Sequence, residues 1–392
     1  MTVDLRPFRP YIYRDAISRA VSPPFDTISP ELAEELKKNP TNITHITLPG
    51  PGSEAPSKIL SRWIEEGVIG RIEKDAFLGI IQEFRNAGSS LQRIGIIGLV
   101  NIFPDDGNVR PHEQTFERPI LARMAIMEDL GAQPEPIFLL ASSNRFEKSL
   151  TRAISESRQV FDFEQPIGVV NRVVLIDSDE HVTEISKSLE GESVIVADGH
   201  HRLEATRRLA ALHPNNPFWS MCMSYITSVH DSGLLISGIH RVVKKKVDLK
   251  AHRQEIEKYF KLEEVASLNG EESMVIFDGS SKYLRMVPRE IPEAIRGKFR
   301  SNIVPYPYVL IEIFFKQCLG FTDEDLSDRV EYQHDIYQAI RSVEEGTASF
   351  VVIMPPWNKN TFIQMIMGGD LLPQKSTYFY PKIPSGIAID LP

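Results

Sequence analysis

The chain has 392 residues, of which 42% are hydrophobic and 25% charged, with a formal net charge of −9. This is ordinary composition for a globular protein, with room for two or three domains of about 100–200 residues each, and its acidic balance offers no global field to recruit nucleic acid. The two cysteines, Cys222 and Cys318, stand far apart, which excludes a CxxC redox pair or a thiolate zinc site and fits a reducing compartment.

The opening residues, Met1 to Phe8, hold no apolar run of signal-peptide type. The longest apolar stretch, Ile94 to Phe103, is broken by Gly95, Gly98 and Asn101 and falls far short of the ~20 residues that span a bilayer. A cytoplasmic protein without a membrane partner is expected. Val21 to Asp26 is proline-punctuated and extended, because each proline disfavours helix in the residue before it. Ser29 as N-cap and Pro30 at the first helical position start a helix to about Asn39. Ile43 to Leu48 reads as a strand, and Ser57 to Glu66 as a helix closed by Gly67. Phe77 to Phe84 and Ile94 to Phe103 read as a hairpin across the turn residues Asn86 to Ser90. A turn-rich segment, Pro104 to Asn108, and a loop, Pro111 to Thr115, precede a helix from Ile120 to Leu130. Short strands are expected at Ile137 to Ala141 and Arg172 to Ile176, with a helix at Asp179 to Leu189. Next come a buried strand, Ser193 to Ala197, a five-residue turn, and a helix from Leu203 to Leu212.

Strands follow at Phe218 to Thr227 and Ile236 to Val243. Beyond Lys244 the texture changes. An amphipathic helix, Leu249 to Phe260, leads to a hairpin of Met274 to Phe277 with Tyr283 to Val287. Helices at Val309 to Leu319 and Asp335 to Glu345, a strand at Val351 to Met354 and a turn-rich tail from Leu371 complete the chain. The fold class is α/β in the mixed α+β sense, with short strands. Three portions are expected: residues 1–145, an N-terminal α/β portion contributing to a site; 146–245, a phosphate-binding core; and 246–392, a C-terminal α+β portion whose tail returns to the site.

Asp198-Gly199-His200-His201-Arg202 gathers a carboxylate, two imidazoles and a guanidinium around a glycine. It lies at a strand-to-helix turn, where unpaired amides and the positive end of the helix dipole favour an anion. Capping alone would explain Asp198 but not the other three side chains. His200 and His201 are adjacent, so they point about 100° apart on a helix, and His-Glu-x-x-His spacing is absent. Zinc is therefore disfavoured, whereas Mg²⁺, which needs only one or two protein ligands, could use Asp198. His112-Glu113, in a polar loop, is a candidate general base with its imidazole neighbour, or a solvated loop pair. Asp26 is a second candidate carboxylate, or a surface turn. Lys375-Ser376-Thr377-Tyr378 has the composition of a phosphate-binding cluster without a P-loop's glycine spacing, or is a loop closing onto the core. Thr115 and Tyr378 are candidate substrate contacts. Lys244 to Lys246 read as a solvated face.

These motifs together resemble a family of bacterial and archaeal proteins called domain of unknown function 1015. The resemblance rests on Val21 to Pro30, Pro111 to Thr115, Ala197 to Ala205 and Pro373 to Lys382, so it spans nearly the whole chain. Leu203, where an aromatic would be expected, and Gln114, in place of arginine, depart from the pattern, and Phe116 to Arg123 lacks a lysine. Family members have been linked to ATP-dependent phosphorylation of free L-serine, and the turn also resembles the phosphate loop of ParB-like and sulfiredoxin-like proteins. The resemblance implies that His200, His201 and Arg202 contact phosphates, that Asp198 orients the turn or holds Mg²⁺, and that ATP is co-substrate. On this reading Arg202 clamps a phosphate, Glu113 or Asp26 accepts the hydroxyl proton, and Lys375 with Ser376 approaches the phosphates from the tail. The expected partners are a small-molecule substrate and a nucleotide, and a homodimer is compatible with the chain. The rival readings are a ParB-like nucleotide-binding switch and a phosphate-ester hydrolase or NTPase using the same anion site.

Overall fold

The computed structural model describes residues 3–15, 17–105, 107–268 and 272–392. Asp106 of the turn-rich segment and the first two residues of the opening segment lie outside them. The fold is mixed α+β and divides into two compact units. One comprises Met1–Pro111, Thr115–Leu235 and Pro381–Pro392; the other comprises His112–Gln114 and Ile236–Tyr380.

The first unit is built on a mixed sheet with nine strands among the described residues. Across it run Val109–Arg110, Val194–Asp198, Ile137–Ala141, Met221–Ser228, Ser89–Asn101, Phe77–Asn86, Val169–Ile176 and Arg158–Glu164; Leu5–Arg6 pairs beside Ser89–Asn101. The Phe77–Asn86 and Ser89–Asn101 strands form the expected hairpin, turning at Ala87 and Gly88, both with positive φ. Val194–Asp198 lies between a parallel partner, Val109–Arg110, and an antiparallel one, Ile137–Ala141. Its β-branched residues Val194 and Val196 are fully buried with Leu139, Leu150 and Phe146, which makes this strand core rather than surface. The ladder slips between Val196 and Asp198. A bulge at a strand end re-aims the side chains that follow it, here at the start of the five-residue turn.

The helix Pro30–Lys37 starts as expected, with the Ser29 hydroxyl accepting from the Leu32 amide at 3.2 Å. Ile43 to Leu48 is not a strand: Thr44–Thr47 is a short helix. The Asn42 carboxamide accepts from the Thr44 amide at 3.0 Å and donates to the Arg19 and Val21 carbonyls, so a local side-chain bond wins over β-propensity. Phe218 to Thr227 is likewise split, with a 3₁₀ turn at Pro217–Ser220 before the strand Met221–Ser228. The helix Asn144–Glu156 was not anticipated, although Phe146, Leu150, Ala153 and Ile154 form its buried stripe and Ser143 caps it.

The second unit holds a six-stranded antiparallel sheet in the order Phe260–Val265, Tyr283–Pro288, Met274–Phe277, Phe350–Ile353, His240–Val243 and Val330–Gln333. Ile236 to Val243 is not one continuous strand; it breaks at Gly238, where a side chain would meet Met354 and the Pro355 carbonyl. The Tyr306–Val309 helix continues as π-turns over Leu310–Cys318, and Phe314 packs edge-on against Phe260 and Phe350 with centroids 6.2 Å away.

In the first unit Gly95 faces the buried Tyr225 ring with no room for a methyl group. Gly95→Ala is expected to destabilise the protein by about 1–3 kcal/mol, read as a lower Tm in thermal melts; an unchanged melt would contradict the packing described.

Candidate functional site

The five-residue turn is shaped by its glycine. Gly199 has φ +87°, in the left-handed region, and a side chain there would press on the Arg202 guanidinium and on Ile137 at 3.1 Å. It occupies the N-cap of the helix His200–Leu212 and brings no side chain of its own to cap that terminus. Four amides at a helix start have no partner within the helix, so a glycine-started terminus with the dipole behind it favours an anion. His200 and His201 are the first two helical residues, both half-buried. The His201 Nε2 accepts from the Phe116 amide at 3.2 Å, which fixes its ring at the end of the neighbouring helix Glu117–Leu130. An imidazole nitrogen that accepts is unprotonated, so the proton of neutral His201 sits on Nδ1.

Behind the turn lies an ion cluster. One Asp198 oxygen meets the Lys382 ammonium, and the other accepts from the Arg202 Nη2 at 3.1 Å. Burial opposes the charge on Asp198, but the Lys382 ammonium and then the Arg202 guanidinium outweigh it and hold the carboxyl at about 2. Arg202 is buried, and its Nη1 donates to the Pro136 carbonyl at 2.5 Å. Both terminal nitrogens are thus committed to protein, and the guanidinium holds the turn rather than standing out as a free phosphate fork. Burial opposes its charge as well, and Glu135, Asp198 and Asp26 together raise its pKa.

Lys382 is a site residue that sequence reasoning quoted in a motif but gave no role. Its backbone is held from beneath: the Gln82 carboxamide donates to the Lys382 carbonyl at 3.2 Å, and fully buried Arg93 donates to the Pro381 carbonyl at 2.5 Å and to Gln82. A buried ammonium so placed needs a counter-charge, which Asp198 supplies.

Asp26 lies in the first unit too, in the short turn Phe25–Thr27, and it is exposed. It acts electrostatically on Arg202 and on Arg123. Arg123 stacks over the Phe25 ring at 3.8 Å and donates to the Thr47 carbonyl at 2.9 Å; burial lowers its pKa. Glu135, buried and bonded to Ser385, is the second carboxylate near these guanidiniums and was not anticipated. A cavity of about 10 Å³, the size of one water, lies among Arg123, Glu135, Arg202, Thr206 and Cys222. Burial pushes the Cys222 thiol up to about 12, which makes it inert at neutral pH.

The other anticipated residues belong to the second unit, apart from Thr115, which is half-buried in the first. Glu113 accepts from the Ser376 amide at 3.2 Å, the Lys375 amide at 3.3 Å and the Thr377 hydroxyl at 3.3 Å. His112 is fully buried, with Nε2 2.8 Å from the Thr377 hydroxyl and its ring edge-on to Phe362 and Phe379. Glu113 therefore organises the tail turn. Ser376 is buried and bonds the Pro373 carbonyl at 2.5 Å, Lys375 is exposed with φ +57°, and Tyr378 stacks on His334 at 4.5 Å.

A magnesium ion on Asp198 does not fit this donor set, since both oxygens already face cations. Among the described residues no three His, Cys, Asp or Glu side chains gather as a metal-binding group, and no helix is long and apolar enough to cross a membrane.

A mixed α+β protein with a strand–glycine–helix turn thus emerges. The chain belongs to the family described as "Protein of unknown function (DUF1015)", whose model matches residues 5–304. No curated protein matches it. Solved structures similar to it include a conserved hypothetical protein from Pyrococcus furiosus, with 15% identity, TM-score 0.36, and coverage of 72% of this chain and 91% of that one. A free serine kinase in complex with AMP has 14% identity, TM-score 0.38, and coverage of 71% and 89%. SbnI with a C-terminal truncation, from Staphylococcus aureus, has 12% identity, TM-score 0.40, and coverage of 75% and 87%.

Lys382→Met removes the ammonium and leaves burial opposed chiefly by the Arg202 guanidinium. The carboxyl is expected to titrate above its wild-type value of about 2, read by NMR of its carboxyl carbon; a value still near 2 would contradict the ion cluster. A depressed folded pKa stabilises above the unfolded value and is lost as pH falls through the folded one. The wild-type contribution is thus complete above about pH 4 and disappears toward pH 2. Acid unfolding of the variant should lack that step.

Proposed function

We propose that this protein is an ATP-dependent kinase of a small hydroxyl compound, with free L-serine the first acceptor to test. The observation that carries the reading is the glycine-started N-terminus of the helix His200–Leu212. It starts on Gly199 at φ +87°, and the Lys382–Asp198–Arg202 cluster braces it from behind. Such a terminus suits the terminal phosphates of a nucleotide. Serine enters from the four-motif resemblance.

Phosphoryl transfer depends on positioning and charge neutralisation more than on covalent chemistry. The first-turn amides, with His200 and His201, would hold phosphate oxygens. The acceptor oxygen attacks the γ-phosphorus, the bond to the β–γ bridging oxygen breaks, and ADP leaves. The hydroxyl proton passes to a carboxylate. Asp26 suits that role better than Glu113, because Asp26 is exposed and acts electrostatically on Arg202 and Arg123, whereas Glu113 is occupied by two amides and a hydroxyl. Arg202 is a positioning residue that fixes Asp198 and the turn.

Pure protein incubated with ATP as its magnesium salt and L-serine is expected to yield O-phosphoserine and ADP in equal amounts. ADP release that does not need serine would identify a hydrolase, and no turnover with any hydroxyl amino acid would overturn the kinase reading. Asp26→Asn is expected to lower kcat by about 10²–10⁴ with nucleotide affinity unchanged. If Glu113→Gln alone shows that loss, the base is Glu113.

A further inference from the structure

A second hollow in the first unit has no part in the proposed chemistry. It is an open depression of about 320 Å³ between the first strand's flank and the end of the chain, the lower end of the range for small-molecule sites. Asp390 lies in its wall, only 4% exposed, and its Oδ2 is buried with no hydrogen-bond partner among the described residues. Its backbone is fixed on both sides by Gln133, whose amide and carbonyl pair with those of Asp390 at 2.9 and 3.0 Å. A buried carboxylate held in place without a donor is costly unless something supplies one. Burial pushes this carboxyl up to about 7 against the opposing pull of Arg71.

Arg71 lines the same hollow. Its Nε donates to the Arg9 carbonyl at 3.3 Å, and among the described residues its terminal nitrogens meet no carboxylate. Arg9 is already paired with Asp75 at 2.9 Å. That pair also lines the hollow, and Phe8, Leu99, Phe218 and Met221 give it an apolar side. The hollow thus offers a buried carboxylate oxygen without a partner, the exposed Arg71 guanidinium, which lies over the Tyr11 ring at 5.9 Å, and an apolar side.

We infer that this hollow binds an α-amino acid zwitterion with an apolar side chain, its ammonium on Asp390, its carboxylate on Arg71 and its side chain against Phe218 and Met221. The complement is specific. An ammonium satisfies Asp390 in its charged form, and a planar carboxylate matches the guanidinium fork. Neither a simple anion nor a simple amine uses both.

The test is calorimetry on the full chain with L-methionine, L-methioninamide and N-acetyl-L-methionine. The zwitterion is expected to bind, and each analogue, lacking one charge, to bind about tenfold or more weakly. Asp390→Asn and Arg71→Ala should each lose the zwitterion to the same extent, while ATP binding stays unchanged. No binding of L-methionine, equal binding of all three compounds, or full affinity in both variants would overturn the inference. The analogue comparison uses wild-type protein, so it decides the matter even if a variant fails to fold. Unchanged ATP binding keeps this outcome separate from that of the kinase reading.

Discussion

The first unit depends on one buried charge arrangement: Asp198 at the end of a core strand, with Lys382 on one oxygen and Arg202 on the other. Two cations on one carboxylate fix the strand end behind a helix terminus that is positive by its dipole. That arrangement is poor for stability on its own terms, because desolvating three charges costs more than a well-packed apolar group would. It is well suited to an anion that arrives in front of the turn. The conflict between folding economy and charge is the physical reason to regard this turn as functional.

The cluster is also expensive to position, and much of the unit's polar interior serves it. Arg93 and Gln82, both fully buried in the central hairpin, hold the backbone of Pro381 and Lys382. Gln82 in turn donates to the Asn171 carboxamide at 2.9 Å on the next strand. Glu135 and Asp26 balance the second pair of guanidiniums, Arg202 and Arg123. A network of this kind is stable only if nearly all its members are satisfied, so truncating one tends to disturb several.

Local features of this fold are legible in the sequence, and distant ones are not. Ser29-Pro30, the Ala87-Gly88 turn and the strand–glycine–helix passage through Gly199 are each decided within a few residues, although the last helix begins at His200 rather than at the expected Leu203. Ile43 to Leu48 has strand composition but folds as a helical turn, because the Asn42 side chain bonds forward to Thr44 and back to Arg19 and Val21. The resemblance makes Arg202 a phosphate clamp; its commitment to Pro136 and Asp198 follows from burial that periodicity does not report. Lys382 and Glu135 carry no local signal. Lys382 stands 184 residues from its partner, and only the Tyr380-Pro381-Lys382 context of a shared motif marks it. Likewise Glu113 reads as a free base in a polar loop, yet it is spent on the amides of Lys375 and Ser376.

The central claim is that the Gly199 turn receives nucleotide phosphates, and backbone amide NMR during an ATP titration tests it most directly. The account predicts that the amide signals of Gly199, His200, His201 and Arg202 shift on ATP addition, saturate together, and stay in place when adenosine is added instead. Saturable ATP binding that leaves these four amides unmoved would contradict it.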